Sequence, residues 1–206
     1  MKNLFLSVAM LISILANAQT NVKPVYVYTE ASDLTLVGKI HEDTPNPYHR
    51  VDTVIFKGFT PTENGQVRMS SGIAVAFKTN SKSIAVKTAF DAPGYPTNTN
   101  GYSARGYDLY IRKDGKWIYA ASGHPSDKWI KEAFKLINNM DGEMKECLMY
   151  LPLYSKVNSV QIGVEEGSVT TDESGNAQIT FPSSGTYYMW CDGGKGCDDG
   201  THTACE

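Results

Sequence analysis

Three short stretches of the chain carry side chains that could do chemistry. The first is Tyr48-His49-Arg50, inside the Pro-rich segment "NPYHRVD". A histidine can act as a base near neutral pH, and an arginine can grip a carboxylate through paired N–H bonds. No nucleophile lies beside them in sequence, so a polar approach to a strand explains them as well. The second stretch is "VRMSSG", with Ser70 and Ser71 close to Arg68. A nucleophilic serine is usually lifted clear of the backbone by a turn framed with glycines. "RMSSGIA" lacks the leading glycine, which favours a plain turn into a strand. The third is Asp199-Gly200-Thr201-His202. An aspartate three residues before a histidine can orient it as a base, but that spacing alone is common.

The tail raises a metal question. Cys191, Cys197, His202 and Cys205 follow the pattern C-x5-C-x4-H-x2-C. This fits no standard zinc finger, and closely spaced cysteines in an exported chain pair as disulfides. No metal or other cofactor is therefore expected. The chain has 4 cysteines, which allow three complete pairings that sequence does not choose between. If Cys147, alone in a strand-like run, is buried, the tail keeps an odd thiol.

Aromatic residues offer a different chemistry. Tyr95, Tyr102, Tyr107 and Trp117 lie in or near the long polar loop "DAPGYPTNTNGYSARG" and the strand after it. Flat rings with Asn and Asp neighbours suit sugar rings, which stack on faces and offer hydroxyls to polar groups. Loops on a rigid scaffold are common binding sites. Ordinary core or sheet-covering rings would look the same, so Tyr95, Tyr102 and Trp117 stand as candidates for ligand contact.

These residues need elements to position them, and the pattern reads as β throughout. Short runs rich in Tyr, Phe, Val, Thr and Ile are punctuated by Gly, Pro, Asn and Asp. In "GIAVAFKTN", Ile73, Val75 and Phe77 alternate with Ala74, Ala76 and Lys78. "SIAVKTAF" alternates too, and the "TNSK" link between them predicts a hairpin of 73–79 with 83–89. "YDLYIRKDGKWIYAAS" predicts a tighter hairpin. Asp114-Gly115 tolerates the positive φ angles of a two-residue type I′ turn. "WIKEAFKLINNMDGEMKECLMYLPLY" fits both helix and strand periods; the strand reading is preferred, with Asp141-Gly142 turning a further hairpin. "SVQIGV" adds another strand. Strands at this spacing, with no convincing helix, predict an antiparallel β-sandwich or jelly roll, all-β, with a short Cys-containing appendix.

The ends differ from the middle. Residues 1–18 combine a basic start at Lys2, an apolar run and Ala16-Asn17-Ala18, the marks of a secretory signal peptide cut after Ala18. The run is too short for a comfortable membrane span of about 20 apolar residues. The mature chain is thus expected to be secreted or periplasmic and free of the membrane. "GSVTTDESG" reads as a boundary, giving a sandwich over 19–166 and an appendix over 167–206. A net charge of −3 and no basic stripe argue against nucleic acid.

The stretch "ARGYDLYIRKDGKWIYA" resembles the G-x-D-L-Y signature of the N-terminal domain of secreted SGNH-type, or GDSL-like, esterases. The signature falls on Gly106, Asp108, Leu109 and Tyr110. "YHRVD", "VRMSSGIAVAFKTNSKSIAVK" and "NNMDGEMKECLMYLPLYSKVNSVQIGV" are similar at the expected places, so the resemblance covers about Leu34 to Val164. It implies a β-sandwich beside a separate catalytic domain with a Gly-Asp-Ser nucleophile motif. This chain contains no Gly-Asp-Ser, and residues 167–206 are too few for such a domain; they look more like a piece of an Ig-like module. The resemblance therefore implies an accessory sandwich without catalytic residues of its own. It would dock an SGNH-type catalytic domain, bind carbohydrate, or both. The other readings are a truncated or divergent SGNH-type carboxylic-ester hydrolase with its own site, built from His49 and Ser70 or Ser71 or from Asp199 and His202, and a purely structural or surface-interaction module. Because Asp108 alternates with Leu109, a core Leu109 would turn Asp108 outward as a contact residue.

Overall fold

The computed structural model describes residues 23–39, 41, 43–92, 98–126, 133–172 and 177–178. Eleven strands lie there, in two antiparallel sheets that face each other. The first sheet runs β1 (Tyr26–Glu30), β9 (Val157–Glu165), β4 (Ile84–Phe90) and β7 (Phe134–Ile137). The second runs β11 (Ala177–Gln178), β10 (Thr170–Thr171), β3 (Ala74–Thr79), β8 (Lys145–Tyr150), β5 (Tyr107–Lys113) and β6 (Lys116–Gly123). The short β2 (Thr35–Val37) also pairs with β3. This is the all-β sandwich that the alternation predicts.

Alternation decides what the two sheets bury. Ile73, Val75 and Phe77 from the β3 region, Leu109 and Tyr107 from β5, and Cys147 and Met149 from β8 point inward. They meet Ile84 and Val86 of β4 and Val160 and Ile162 of β9. Two inner faces interdigitating in this way remove apolar area from water at about 25 cal/mol per Å². The Tyr107 hydroxyl, wholly buried, shares a 2.7 Å hydrogen bond with Thr88 of the opposite sheet. Cys147 is buried too and forms no disulfide; burial pushes its thiol up to about 12.

Two predicted hairpins are corrected. β3 and β4 do not pair; the link between them crosses from the second sheet to the first. None of its residues has positive φ, so it cannot form the primed turn that a tight hairpin favours. Instead its serines are buried and satisfied in the crossing. Ser81 Oγ donates to Ser83 O at 2.6 Å and accepts from Glu165 N at 3.0 Å, while Ser83 Oγ donates to Glu165 at 2.6 Å. β7 and β8 also lie in different sheets. Their seven-residue link, with Asn139 and Gly142 at positive φ, runs beside the first crossing, where Met140 N donates to Lys82 O at 2.9 Å. The strand at Phe134–Ile137 is present as read.

The β5–β6 hairpin forms as predicted. Asp114 and Gly115 have φ of 52° and 75°, as a type I′ turn requires. A bulge shifts the register between Leu109 and Tyr110. Two short helices were not anticipated. In α1 (Pro61–Val67), Thr60 and Glu63 form a capping box with Pro at the first turn, a signal that "TPTEN" does carry. In α2 (Gly101–Arg105), Asn100 and Ser103 cap each other reciprocally. Among the described residues no helix is long and apolar enough to cross a membrane.

Candidate functional site

The outward face of the second sheet gathers most of the chemistry. On β5, Leu109 is fully buried, so Asp108, Tyr110 and Arg112 face out. On β6 the same parity presents Trp117 and Tyr119, opposite Arg112 and Tyr110 respectively. On β8 it presents Glu146, Leu148 and Tyr150, with Tyr150 opposite Asp108 and Leu148 opposite Tyr110. Lys78 of β3 completes a row beside Glu146.

The rings make one continuous surface. Tyr110 packs edge-to-face against Tyr119 at 6.0 Å and against Tyr150 at 5.9 Å. Trp117, Tyr119 and Tyr150 are 42%, 57% and 40% exposed, high for side chains of this size. Arg112 lies 5.9 Å from the Trp117 ring centroid, and its Nη1 donates to Glu146 at 3.0 Å. Lys78 approaches the other Glu146 oxygen at 3.8 Å. These exposed ion pairs add little stability, but they hold charged groups beside the indole. Tyr119 Oη donates to Ser122 at 3.0 Å across the bulge. Among the described residues the Asp108 carboxylate has no hydrogen-bond partner.

Gly106 explains the first letter of the signature. Its N donates to Tyr102 O at 2.9 Å, closing α2. A Cβ there would stand 2.2 Å from that oxygen, so only glycine allows the helix to run straight into β5.

The "YHRVD" segment lies elsewhere, at the end of the sandwich where β3 begins. Tyr48 is 1% exposed. Its hydroxyl donates to Glu30 and accepts from Ser32 N at 3.1 Å. Glu30 also accepts from Ser159 Oγ at 2.8 Å and Val160 N at 3.1 Å, so Glu30 ties β1 to β9 and Tyr48 holds that carboxylate in place. Burial and the Glu30 carboxylate raise its pKa. Arg50 donates to the carbonyls of Met69 at 3.0 Å and Gln66 at 2.7 Å, tying down the end of α1. Asp52 caps its own turn through Val54 N and Ile55 N. His49 is half-buried, and burial, Arg68 and Lys156 lower its pKa against the opposing pull of Asp91.

Ser70 is fully buried and donates to Tyr48 O at 2.9 Å, which leaves its hydroxyl no access to a substrate. Ser71 is partly exposed in the turn that follows. Tyr102 is exposed and packs edge-on against His124 at 4.5 Å. It precedes β5, whereas Trp117 follows the turn at the strand's far end, so the two do not share a surface. Tyr107 is a core residue. Tyr95, Asp199, His202, Cys191, Cys197 and Cys205 lie outside the described residues. Among the described residues no group of three His, Cys, Asp or Glu side chains could hold a metal.

Sequence reading singled out Trp117, Asp108 and Tyr110 but not their neighbours. Tyr119 and Arg112 were within reach, two residues along the same strands. Tyr150, Glu146 and Lys78 were not, because they join the face only through the register of β8 with β5 and β3.

The chain is thus an antiparallel β-sandwich with an aromatic patch on the outward face of one sheet. Residues 26–170 match the family model described as GxDLY, the N-terminus of SGNH-hydrolase-type esterases, and the chain belongs to that family. Of the solved structures it resembles, a protein from Bacteroides ovatus described as a GDSL-like lipase is 36% identical, with a TM-score of 0.67; the match covers 72% of this chain and 43% of that one. The salicylyl-acyltransferase SsfX3 from a tetracycline biosynthetic pathway is 17% identical, with a TM-score of 0.47, over 73% and 42% of the two chains. This chain thus spans less than half the length of either. No curated protein matches it.

Proposed function

We propose that the chain is a non-catalytic accessory sandwich of an SGNH-type esterase system, exported by residues 1–18, which holds a glycan on the outward face of its second sheet. The observation that carries this is the joined surface of Trp117, Tyr119, Tyr110 and Tyr150. Large rings left this exposed mark interaction sites. Their faces suit stacking against sugar rings, and Asp108, Ser122, Arg112 and Glu146 supply donors and acceptors for hydroxyls. No Gly-Asp-Ser occurs in the sequence, so ester hydrolysis is assigned to a separate catalytic domain. Affinity electrophoresis of the full chain against a panel of plant and host glycans tests the reading. Retardation by at least one glycan, lost in Trp117→Ala/Tyr119→Ala, is expected. No retardation by any would refute it. Hydrolysis of p-nitrophenyl acetate by the purified chain, lost in Ser71→Ala or His202→Ala, would refute the non-catalytic assignment.

A second reading concerns the catalytic domain itself. The loop before α1 exposes Val54, Ile55, Phe56 and Phe59 together. That apolar run suits docking against a neighbouring domain, at the end of the sandwich rather than on the aromatic face. Docking predicts that the intact chain binds a separately produced SGNH catalytic domain and that Ile55→Asp/Phe56→Asp weakens the complex.

A further inference from the structure

Lys78, Glu146, Arg112 and Trp117 form one outward row across four adjacent strands, β3, β8, β5 and β6. At a strand spacing of about 4.8 Å, the row is roughly 14 Å wide. The small Ala76 leaves its floor low, and these residues line a shallow cleft of about 240 Å³. The row therefore reads cation, carboxylate, cation, indole, with two positive charges to one negative.

The surplus charge is available. Glu146 takes a single Nη1 contact from Arg112, while Lys78 stays at 3.8 Å, beyond hydrogen-bonding distance. A guanidinium carries five N–H donors, and the Arg112 side chain is half exposed. Its guanidinium carbon lies 5.9 Å from the centre of the Trp117 indole. A sugar ring stacked on Trp117 would place a ring carboxylate against the guanidinium donors, in the paired geometry that arginine and carboxylate favour. The chain as a whole carries −3, so its overall field does not attract polyanions. Any preference for an acidic ligand has to come from this local row.

We propose that the cleft selects an acidic glycan, one carrying uronic acid residues, with Trp117 stacking the ring and Arg112 and Lys78 holding its carboxylate. This rests on the glycan-binding reading above and adds the substrate class. A neutral sugar would still stack, without the charged contact.

The test uses the full chain and two acid–ester pairs: polygalacturonate against its methyl ester, and alginate against its propylene glycol ester. Esterification removes the charge and keeps the rings. At least one acid should bind roughly tenfold or more tightly than its ester, as a charge-assisted hydrogen bond implies. Arg112→Gln should erase that difference, weakening binding to the acid far more than binding to the ester, and Trp117→Ala should abolish both. Equal affinity for acid and ester, or a preference that survives Arg112→Gln, would overturn the acidic assignment while the glycan platform stands. So would binding of neutral panel glycans with neither acid bound. Competition by polyglutamate as effective as that by the acid would also overturn it, by reducing the site to bulk charge. Failure of every glycan, neutral and acidic, to bind would remove the platform and the acidic assignment together.

Discussion

The backbone nitrogen of Gly106 donates to the carbonyl oxygen of Tyr102 at 2.9 Å, and the space above that oxygen is too small for a methyl group. Gly106→Ala forces α2 away from the start of β5. The backbone there cannot give as a flexible side chain could, so the cost falls within the about 1–3 kcal/mol typical of overpacking, toward its upper end. Urea unfolding of the variant should show a lower midpoint with an unchanged slope. A midpoint equal to that of the parent would mean the junction is looser than described.

Asp108 and Leu109 are consecutive and face opposite ways. Leu109→Ala empties a fully buried site and should cost about 2–5 kcal/mol. Asp108→Ala removes an exposed side chain and should stay within about 0.5 kcal/mol. Comparable losses for the two in thermal unfolding would contradict the parity of β5.

Tyr48 is tied to Glu30 and Ser32. Tyr48→Phe keeps the ring in the core but removes a hydrogen bond to a charged group, worth about 1.5–3 kcal/mol. Glu30 keeps its contacts to Ser159 and Val160, which places the loss toward the lower figure. Equilibrium unfolding at neutral pH measures it; a neutral substitution would show that the hydroxyl bond contributes nothing net.

His49 gives a pH dependence with a definite sign. Its folded pKa lies below the ordinary 6.5, chiefly because it is buried and also because Arg68 and Lys156 stand near it. The unfolded chain therefore binds this proton more readily than the native one. Stability is complete above about pH 6.5 and falls as pH drops toward the folded pKa. His49→Gln should flatten that part of the stability-versus-pH curve. An NMR titration that places His49 above 6.5 would reverse the sign.

The sandwich was legible because its alternation is strong. Ile73, Val75 and Phe77, or Val160 and Ile162, could only be inner faces, and Asp114-Gly115 could only be a tight turn. The connectivity was not legible. "TNSK" and "NNMDGEM" have the composition of hairpin turns, yet each crosses between sheets. What decides this is the pairing of Ser81 and Ser83 with Glu165, a residue more than 80 positions away. The capping box of Thr60 and Glu63 is a local signal in "TPTEN", but a helix this short carries no apolar period to reinforce it. The site was half legible: parity along β5 and β6 is local, but the arrival of Tyr150, Glu146 and Lys78 depends on long-range register.

Those two crossings also set how the chain must fold. Among the described strands longer than two residues, consecutive strands pair only in the β5–β6 hairpin and, across a long link, in β2–β3; β1 waits for β9, β3 for β8 and β4 for both β7 and β9. Each of those partners is brought in only after a long loop has closed, before any pairing can repay the lost chain entropy. Such high contact order belongs to proteins that fold in milliseconds to seconds rather than microseconds. Until β9 arrives from late in the sequence, β1 and β4 have open edges, and the nascent domain is at its most vulnerable to pairing with a neighbour.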